Sequence, residues 1–417
     1  MQSSLLFCFF DPTQIHSYTL LSSSHSSAMN DFEFETHDTE THVSAVILDL
    51  DGTLLNTVYG CVCAEQATKD VLKQFLAKYG KVLDREKENK RLGMTHKESA
   101  IAIIKDYDLP IPPHRYTQEI MPLYQEKWVE AKALPGANRL IMHLHKHQVP
   151  FALASNSIRQ NIDTKISHQQ GWKECFSVIL GSDQVKLGKP APDLFLEAAN
   201  KMGVDAVRCL VIEDSLIGVK AAKAAGMKVV AIPSLQSEAE QYHIADSVLH
   251  SLLEFQPEMW GLPPFEDWVD NTLPVEPFHL KGLYSHGLLC EFADSGPSAL
   301  PDQVSGVYFG WGIVDTDEIF KVVTGIGWDH GCCTAKRKIR LCPVDGSKED
   351  ISNQHMQVLL VGYIRGMTGK GNTSAEIEIV EEDKLIASDS LDLPVYAHHT
   401  CASFFSEASF EDDCCLG

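Results

Sequence analysis

The sequence has no Cys-x-x-Cys pair, so it gives no support to a zinc ribbon or a dithiol redox motif. No apolar run approaches the roughly 18–20 residues that span a bilayer. The first 28 residues contain eight Ser but no Lys or Arg. A secretory signal needs a basic start and a transit peptide needs Arg, so neither is expected. Cations are scarce: 35 Lys and Arg face 57 Asp and Glu, a net charge of −22. That balance argues against nucleic acid or an anionic membrane surface as the main partner, since both need clustered cations. The twelve cysteines stand singly or as neighbours, without a disulfide rhythm. Reduced thiols and a cytoplasmic location are the expectation.

What is present supports large folded units. Hydrophobic residues make up 44% of the 417 positions, and the length suggests two or three domains. Acidity is uneven: residues 1–250 carry a net −5 and residues 251–417 a net −17. The two halves are therefore different physical objects.

Residues 1–40 are expected to be a disordered leader, with Met29 a more natural chain start. Val43–Leu50 is a near-continuous β-rich run, as a buried parallel strand requires. Apolar residues then recur at helical spacing, as in Val71, Leu72, Phe75 and Leu76. Strand candidates return at Pro150–Ser155, Phe176–Gly181, Cys209–Ile212 and Val229–Ile232. Between them lie helical patterns such as Asp193–Met202 and Leu216–Ala225, each followed by Gly. The alternation predicts an α/β domain over 41–250, built on a doubly wound parallel sheet. The helical segment at about 58–132 interrupts it and reads as an inserted cap. Residues 251–280 hold five prolines and two tryptophans and predict a linker or a wrapped connection. Beyond it, Gly306–Trp311, Phe320–Gly325, Met356–Ile364 and Glu376–Val380 look like short strands between Gly-rich turns. A mainly-β barrel or sandwich is expected over 281–395, then an irregular tail over 396–417.

The strongest chemical signal is Asp49-Leu50-Asp51-Gly52-Thr53, at the end of the first strand. Alternation along a strand points both carboxylates the same way, into the crevice beyond the sheet's carboxyl edge. Two carboxylates so close repel unless a divalent cation or a shared proton compensates. One can attack phosphorus while the other hands a proton to the leaving oxygen. Gly52 permits the turn, and Thr53 offers a hydroxyl and an N–H to phosphate oxygens. Ser155-Asn156-Ser157 closes the second strand, where hydroxyls reach the same crevice or cap the following helix. Lys189 sits in Gly188-Lys-Pro-Ala-Pro-Asp193, whose prolines present a rigid ammonium suited to phosphate. Glu213 and Asp214 end the Leu210–Ile212 strand and add oxygen ligands for Mg²⁺.

These four motifs, in this order, resemble the haloacid dehalogenase superfamily of phosphohydrolases over about residues 43–235. The resemblance makes Asp49 the nucleophile, Asp51 the general acid/base and Ser155 the phosphate-binding hydroxyl. It makes Lys189 the stabilising lysine. Asp49, Asp51, Glu213 and Asp214 become the Mg²⁺ site, and Gly52, Thr53 and Asn156 the phosphate contacts. It also places the chain in the helical-cap subclass, whose members act on small phosphomonoesters. Further stretches, including Gly171–Phe176, Trp260–Phe265, Ser305–Trp311 and Leu391–Pro394, are similar to a plant family that joins an FMN phosphatase to a riboflavin kinase.

In that family, a Gly-x-Pro-Thr-Ala-Asn loop of the kinase unit supplies Mg²⁺ and phosphate contacts; nothing between Lys281 and Val304 matches it. An ungapped count back from Val361 puts the family's catalytic Glu on Arg340, and a permanent cation cannot accept a hydroxyl proton. The expectation is a Mg²⁺-dependent phosphatase acting through an aspartyl-phosphate, with FMN as its substrate by resemblance, and a kinase-like half without kinase activity. A bifunctional kinase/phosphatase, a phosphatase for a sugar or polyol phosphate, and a flavin-binding protein without turnover remain open beside it.

Overall fold

The structure is a computed structural model. It describes residues 42–56, 64–84, 86–87, 90–91, 94–128, 131–234, 241–291, 300–314, 319–329, 336–346, 352–367 and 378–400. The expected leader over 1–40 and the tail beyond 400 lie outside these residues.

Six parallel strands form the first sheet: β1 (Ala45–Leu48), β2 (Phe151–Ser155), β3 (Val178–Gly181), β4 (Cys209–Glu213), β5 (Lys228–Ala231) and β6 (Ser247–Val248). Their order is β3-β2-β1-β4-β5-β6. Every residue of β1, β2 and β4 is buried, which is why these stretches are apolar without alternation. Alternate side chains feed opposite faces: Val46 and Leu48 join one core with Leu153 and Leu210, and Ala45 and Ile47 join the other with Ala154 and Val211. The order reverses direction at β1, with Leu48 opposite Leu153 of β2 on one side and Ile212 of β4 on the other. The ends of these three strands therefore meet at one crevice.

Helices at Ala64–Ala77, His96–Tyr107 and Pro113–Trp128 fall inside the expected cap. They share their own core of Leu72, Phe75, Ile103, Tyr116, Ile120, Tyr124 and Trp128. Thr95 and Glu98 close a capping box at the start of the second of these helices.

The carboxy-terminal half is a closed barrel of β7 (Leu273–Ser285), β8 (Leu288–Glu291), β9 (Gly306–Val314), β10 (Ile319–Asp329), β11 (Lys336–Pro343) and β12 (Ser352–Arg365), in the order β10-β11-β8-β7-β12-β9. Closure removes free sheet edges. Leu280, Tyr308, Val322, Ile326, Leu341 and Val358 fill it. Outside, Phe309, Trp311 and Val361 pack with Ala387, Leu391 and Tyr396.

Three sequence expectations change here. The proline-rich connection ends earlier, because Pro274 and Pro277 lie within β7. The stretch before it is a packed strap. Arg139 makes a bidentate pair with Asp267 at 2.7 Å on both contacts and stacks 3.6 Å from the Phe265 ring centroid. The expected strand at Glu376–Val380 is also corrected. Residues 376–377 lie outside the described set, while Glu378–Val380 are not strand and lead into the helix Glu381–Ser390. Charged β11 (KRKIRLCP) was not expected at all, since only Ile339 and Leu341 turn inward there.

Candidate active site

Residues at or just beyond the ends of β1, β2 and β4 build most of the site. The backbone N–H of Asp49 donates to Ile212 at 3.1 Å, which ties the first motif to the end of β4. Hydrogen bonds join Asp49, Glu213 and Asp214 through Lys189 and Thr53, and a second set joins Asp51 to Ser155. The ends of adjacent strands bring them together across as many as 165 positions of chain.

Lys189 is its hub. Its Nζ donates to Asp49 Oδ1 at 2.5 Å and to Glu213 Oε1 at 2.6 Å, with the lysine side chain 2% exposed. Burial opposes its charge, but the Asp49 and Glu213 carboxylates outweigh that and hold it protonated. Asn156 locks this arm in place: its Oδ1 accepts from Lys189 N–H at 2.8 Å and its Nδ2 donates to Lys189 C=O at 3.1 Å. The sequence reading made Asn156 a phosphate contact. In the structure its side-chain amide bonds to the lysine backbone.

Glu213 is held from both sides. Its Oε2 accepts from Ser215 N–H at 2.7 Å and from Ser215 Oγ at 2.9 Å. The same serine caps the helix Leu216–Ala224. Gly218 is required one turn on, since a Cβ there would overlap the Glu213 carboxylate. Asp214 faces the same space, buried beside Asp49 and Glu213. Thr53 Oγ1 sits 3.3 Å from both Asp49 Oδ2 and Asp214 Oδ1 and bridges the two acids. Gly52 turns the chain at φ +88°, and its N–H donates to Leu55 C=O at 2.9 Å. That N–H therefore closes the turn.

Carboxylate oxygens of Asp49, Glu213 and Asp214 lie within 4.8 Å of one another, all buried. Burial pushes the Asp49 carboxyl up to about 7, with Glu213 and Asp51 adding to the shift and Lys189 opposing it. Asp214 is raised as well, by burial and then by the Glu213 and Asp49 charges. Three buried hard oxygen donors and excess negative charge together fit Mg²⁺.

Asp51 was expected to join the metal acids, but its carboxylate faces the other way. Oδ2 accepts from Ser157 Oγ at 2.8 Å and Ser155 Oγ at 3.2 Å, and Oδ1 pairs with Lys165 Nζ at 2.6 Å. Strand β1 ends at Leu48, so strict alternation does not carry on to Asp51. Ser157 and Lys165 were missed as site residues. The available signal was a lysine on the buried stripe Asn161, Ile162, Lys165, Ile166 of the helix Arg159–Ile166.

The barrel half also reaches this site. Gln303, 4% exposed, donates from Nε2 to Gly52 C=O at 2.7 Å. Its neighbour Asp302 pairs with Arg337 of β11 at 3.3 Å, which fixes the segment to the barrel wall.

Two family models match the chain: haloacid dehalogenase-like hydrolase over residues 43–226 and riboflavin kinase over residues 293–391. A bifunctional riboflavin kinase/FMN phosphatase of Arabidopsis thaliana is 43% identical over 369 residues, covering 85% of this chain and 94% of the relative. A (DL)-glycerol-3-phosphatase 2 of the same plant is 35% identical, over 54% of this chain and 94% of its own. A probable pseudouridine-5'-phosphatase of Drosophila melanogaster is 36% identical, over 54% and 96%. With both units matched and nearly the full length of the first relative covered, this chain belongs to the bifunctional riboflavin kinase/FMN phosphatase family, a haloacid dehalogenase-like hydrolase joined to a riboflavin kinase domain.

Proposed function

We propose that the chain is a Mg²⁺-dependent phosphatase that converts FMN to riboflavin in the cytoplasm, with a barrel half that does not transfer phosphate. The observation that carries this reading is the separation of roles between two carboxylates two residues apart. Asp49 lies with Lys189 and the metal-binding acids, and Asp51 lies apart with hydroxyl and ammonium donors. FMN comes from the relative that matches 85% of this chain.

In the first step an Asp49 oxygen bonds to phosphorus as the bond from phosphorus to the substrate oxygen breaks. Asp51 supplies the proton that this departing oxygen needs. In the second step a water oxygen bonds to phosphorus, Asp51 takes the water proton, and the bond to Asp49 breaks to release inorganic phosphate. Lys189 stays charged beside Asp49 throughout and offsets the negative charge that gathers on the phosphoryl oxygens. Mg²⁺ held by Asp49, Glu213 and Asp214 would polarise those oxygens and neutralise the acids around them. The cap helices, packed on a core of their own, would close over the substrate and exclude bulk water.

In the barrel, Arg340 lies on β11 opposite Gly325 of β10 and Leu288 of β8. It occupies the position that resemblance assigns to the kinase's carboxylate base, which supports a half without kinase chemistry.

The test is phosphate release from FMN, with and without Mg²⁺, beside glycerol phosphate at matched concentration. Mg²⁺-dependent preference for FMN is expected, lost in a chelator and restored by excess Mg²⁺. Preference for glycerol phosphate would reassign the substrate while leaving Asp49 its role. FMN formation from riboflavin and ATP would overturn the silent barrel.

A further inference from the structure

Lys165 lies outside the four motifs, yet it is the ionic partner of the proposed acid/base group. Its ammonium is 2.6 Å from Asp51 Oδ1 and 2.9 Å from Ser157 Oγ, and Ser157 itself donates to Asp51 Oδ2 at 2.8 Å. The lysine side chain is 4% exposed, whereas that of Asp51 is 25% exposed. A lysine buried so deeply is costly unless it is paired and hydrogen-bonded, so the position is built around this contact. On its other side the ammonium lies 4.5 Å from the ring centroid of Trp128. Trp128 ends the last described cap helix, is 3% exposed, and stacks on Tyr124 within the cap core. A cation over an indole face is a favourable contact, most so where water is excluded. One side chain therefore links the acid/base carboxylate to the cap.

We propose that Lys165 is the positioning residue for Asp51, setting its carboxylate for proton transfer and tying that setting to the seated cap through Trp128. This deepens the phosphatase reading and rests on it. Lys189 and Lys165 thereby divide the site: one ammonium serves the nucleophile and Glu213, the other serves the acid/base. Because Asp51 retains some solvent contact, losing Lys165 leaves a carboxylate that stays hydrated but no longer has a fixed direction.

The experiment compares kcat/KM for an alkyl phosphate and for p-nitrophenyl phosphate in the full-length chain with Mg²⁺. The alkyl alkoxide is a poor leaving group and needs the Asp51 proton, while p-nitrophenolate leaves with little help. General acid catalysis contributes on the order of 10²–10⁴-fold. Lys165→Met is expected to lose about 100-fold or more on the alkyl phosphate and less than about tenfold on the aryl one. It should also show a burst of p-nitrophenolate, as the second step, which needs Asp51 as base, becomes slow. Lys165→Arg is expected to recover most of the alkyl-to-aryl ratio, and Trp128→Leu to shift the ratio in the same direction as Lys165→Met. Thermal melts of each variant identify any that do not fold; should Lys165→Met be one, Lys165→Gln replaces it and the same ratio decides. Equal losses on both substrates, or no loss on either, would overturn the role of Lys165. An unmodified chain inert on both substrates would overturn the phosphatase reading itself, and this role with it.

Discussion

Gln303 of the barrel half donates a 2.7 Å hydrogen bond to the carbonyl of Gly52, inside the stretch that carries Asp49 and Asp51. The two residues stand 251 positions apart and are linked through a buried contact. Gly52 is also the turn's left-handed residue, so its carbonyl direction and the turn's shape move together. Gln303→Ala leaves that buried acceptor without its donor, at a cost of about 1–3 kcal/mol. A lower melting temperature and a several-fold lower kcat with KM little changed are expected, measured on the full chain. Gln303→Glu should lose more, because a carboxylate would face a carbonyl oxygen beside an acidic site. Unchanged melting and kcat in both variants would show that the contact carries nothing.

Asp49→Asn removes the attacking oxygen's charge while keeping the side chain's shape. Turnover is expected to fall to background with the fold intact. Acid quenching during turnover of labelled substrate should trap phosphate on the unmodified chain and none on the variant. Equal labelling of the two would place the nucleophile elsewhere.

Gly218→Ala tests the mounting of Glu213 without substituting any charged residue. The added Cβ overlaps the Glu213 carboxylate, which must move and release one of the two acids that hold Lys189. Displacement of about 1 Å in a catalytic arrangement costs on the order of 10²-fold, and a loss of that size in kcat/KM is expected. A fully active Gly218→Ala chain would falsify the view that Glu213 must stay where Ser215 and Gly218 put it.

Glu254 sets a pH dependence away from the metal-binding acids. It lies in the single turn Leu252–Glu254, with Oε2 accepting from His250 N–H at 3.1 Å and Oε1 without a hydrogen-bond partner among the described residues. Burial pushes its carboxyl up to about 7, and the His250 hydrogen bond offsets only part of that. A carboxyl raised on folding stabilises the protein fully below its unfolded value near 4.5. That contribution is then lost as pH climbs through about 7, for at most about 3 kcal/mol. The unmodified chain is thus expected to lose melting temperature between pH 5 and 8 more steeply than Glu254→Gln does. Parallel curves for the two chains would remove Glu254 as the cause.

Much of the phosphatase half was legible because its signals are local. Asp49 through Thr53, Ser155, Lys189 and Glu213-Asp214 each stand at a strand end or before a helix, and parallel strands gather their ends at one edge. The helix Asp193–Met202 matched its expected bounds, since its stop signal is a glycine that adopts φ +71° as Gly203. The barrel half was less legible. Its strands are long and bent, and β7 carries prolines that read as a connection. The contacts of the Asn156 amide were not legible, because they depend on a partner 33 positions away in the chain.

Sequence by itself determined the parallel sheet and singled out Asp49, Lys189, Glu213 and Asp214 as the candidates for nucleophile, stabilising lysine and Mg²⁺ acids. Those depend on residue type and on spacing within single strands and turns. Only the tertiary structure decided that Asp51 turns from the metal acids toward Lys165, that Asn156 holds a backbone, and that Gln303 reaches the catalytic turn. Each of these is a contact between segments distant in the chain, set by how helices and the barrel pack on the sheet. No local pattern encodes such a distance, because it exists only once the intervening chain has folded.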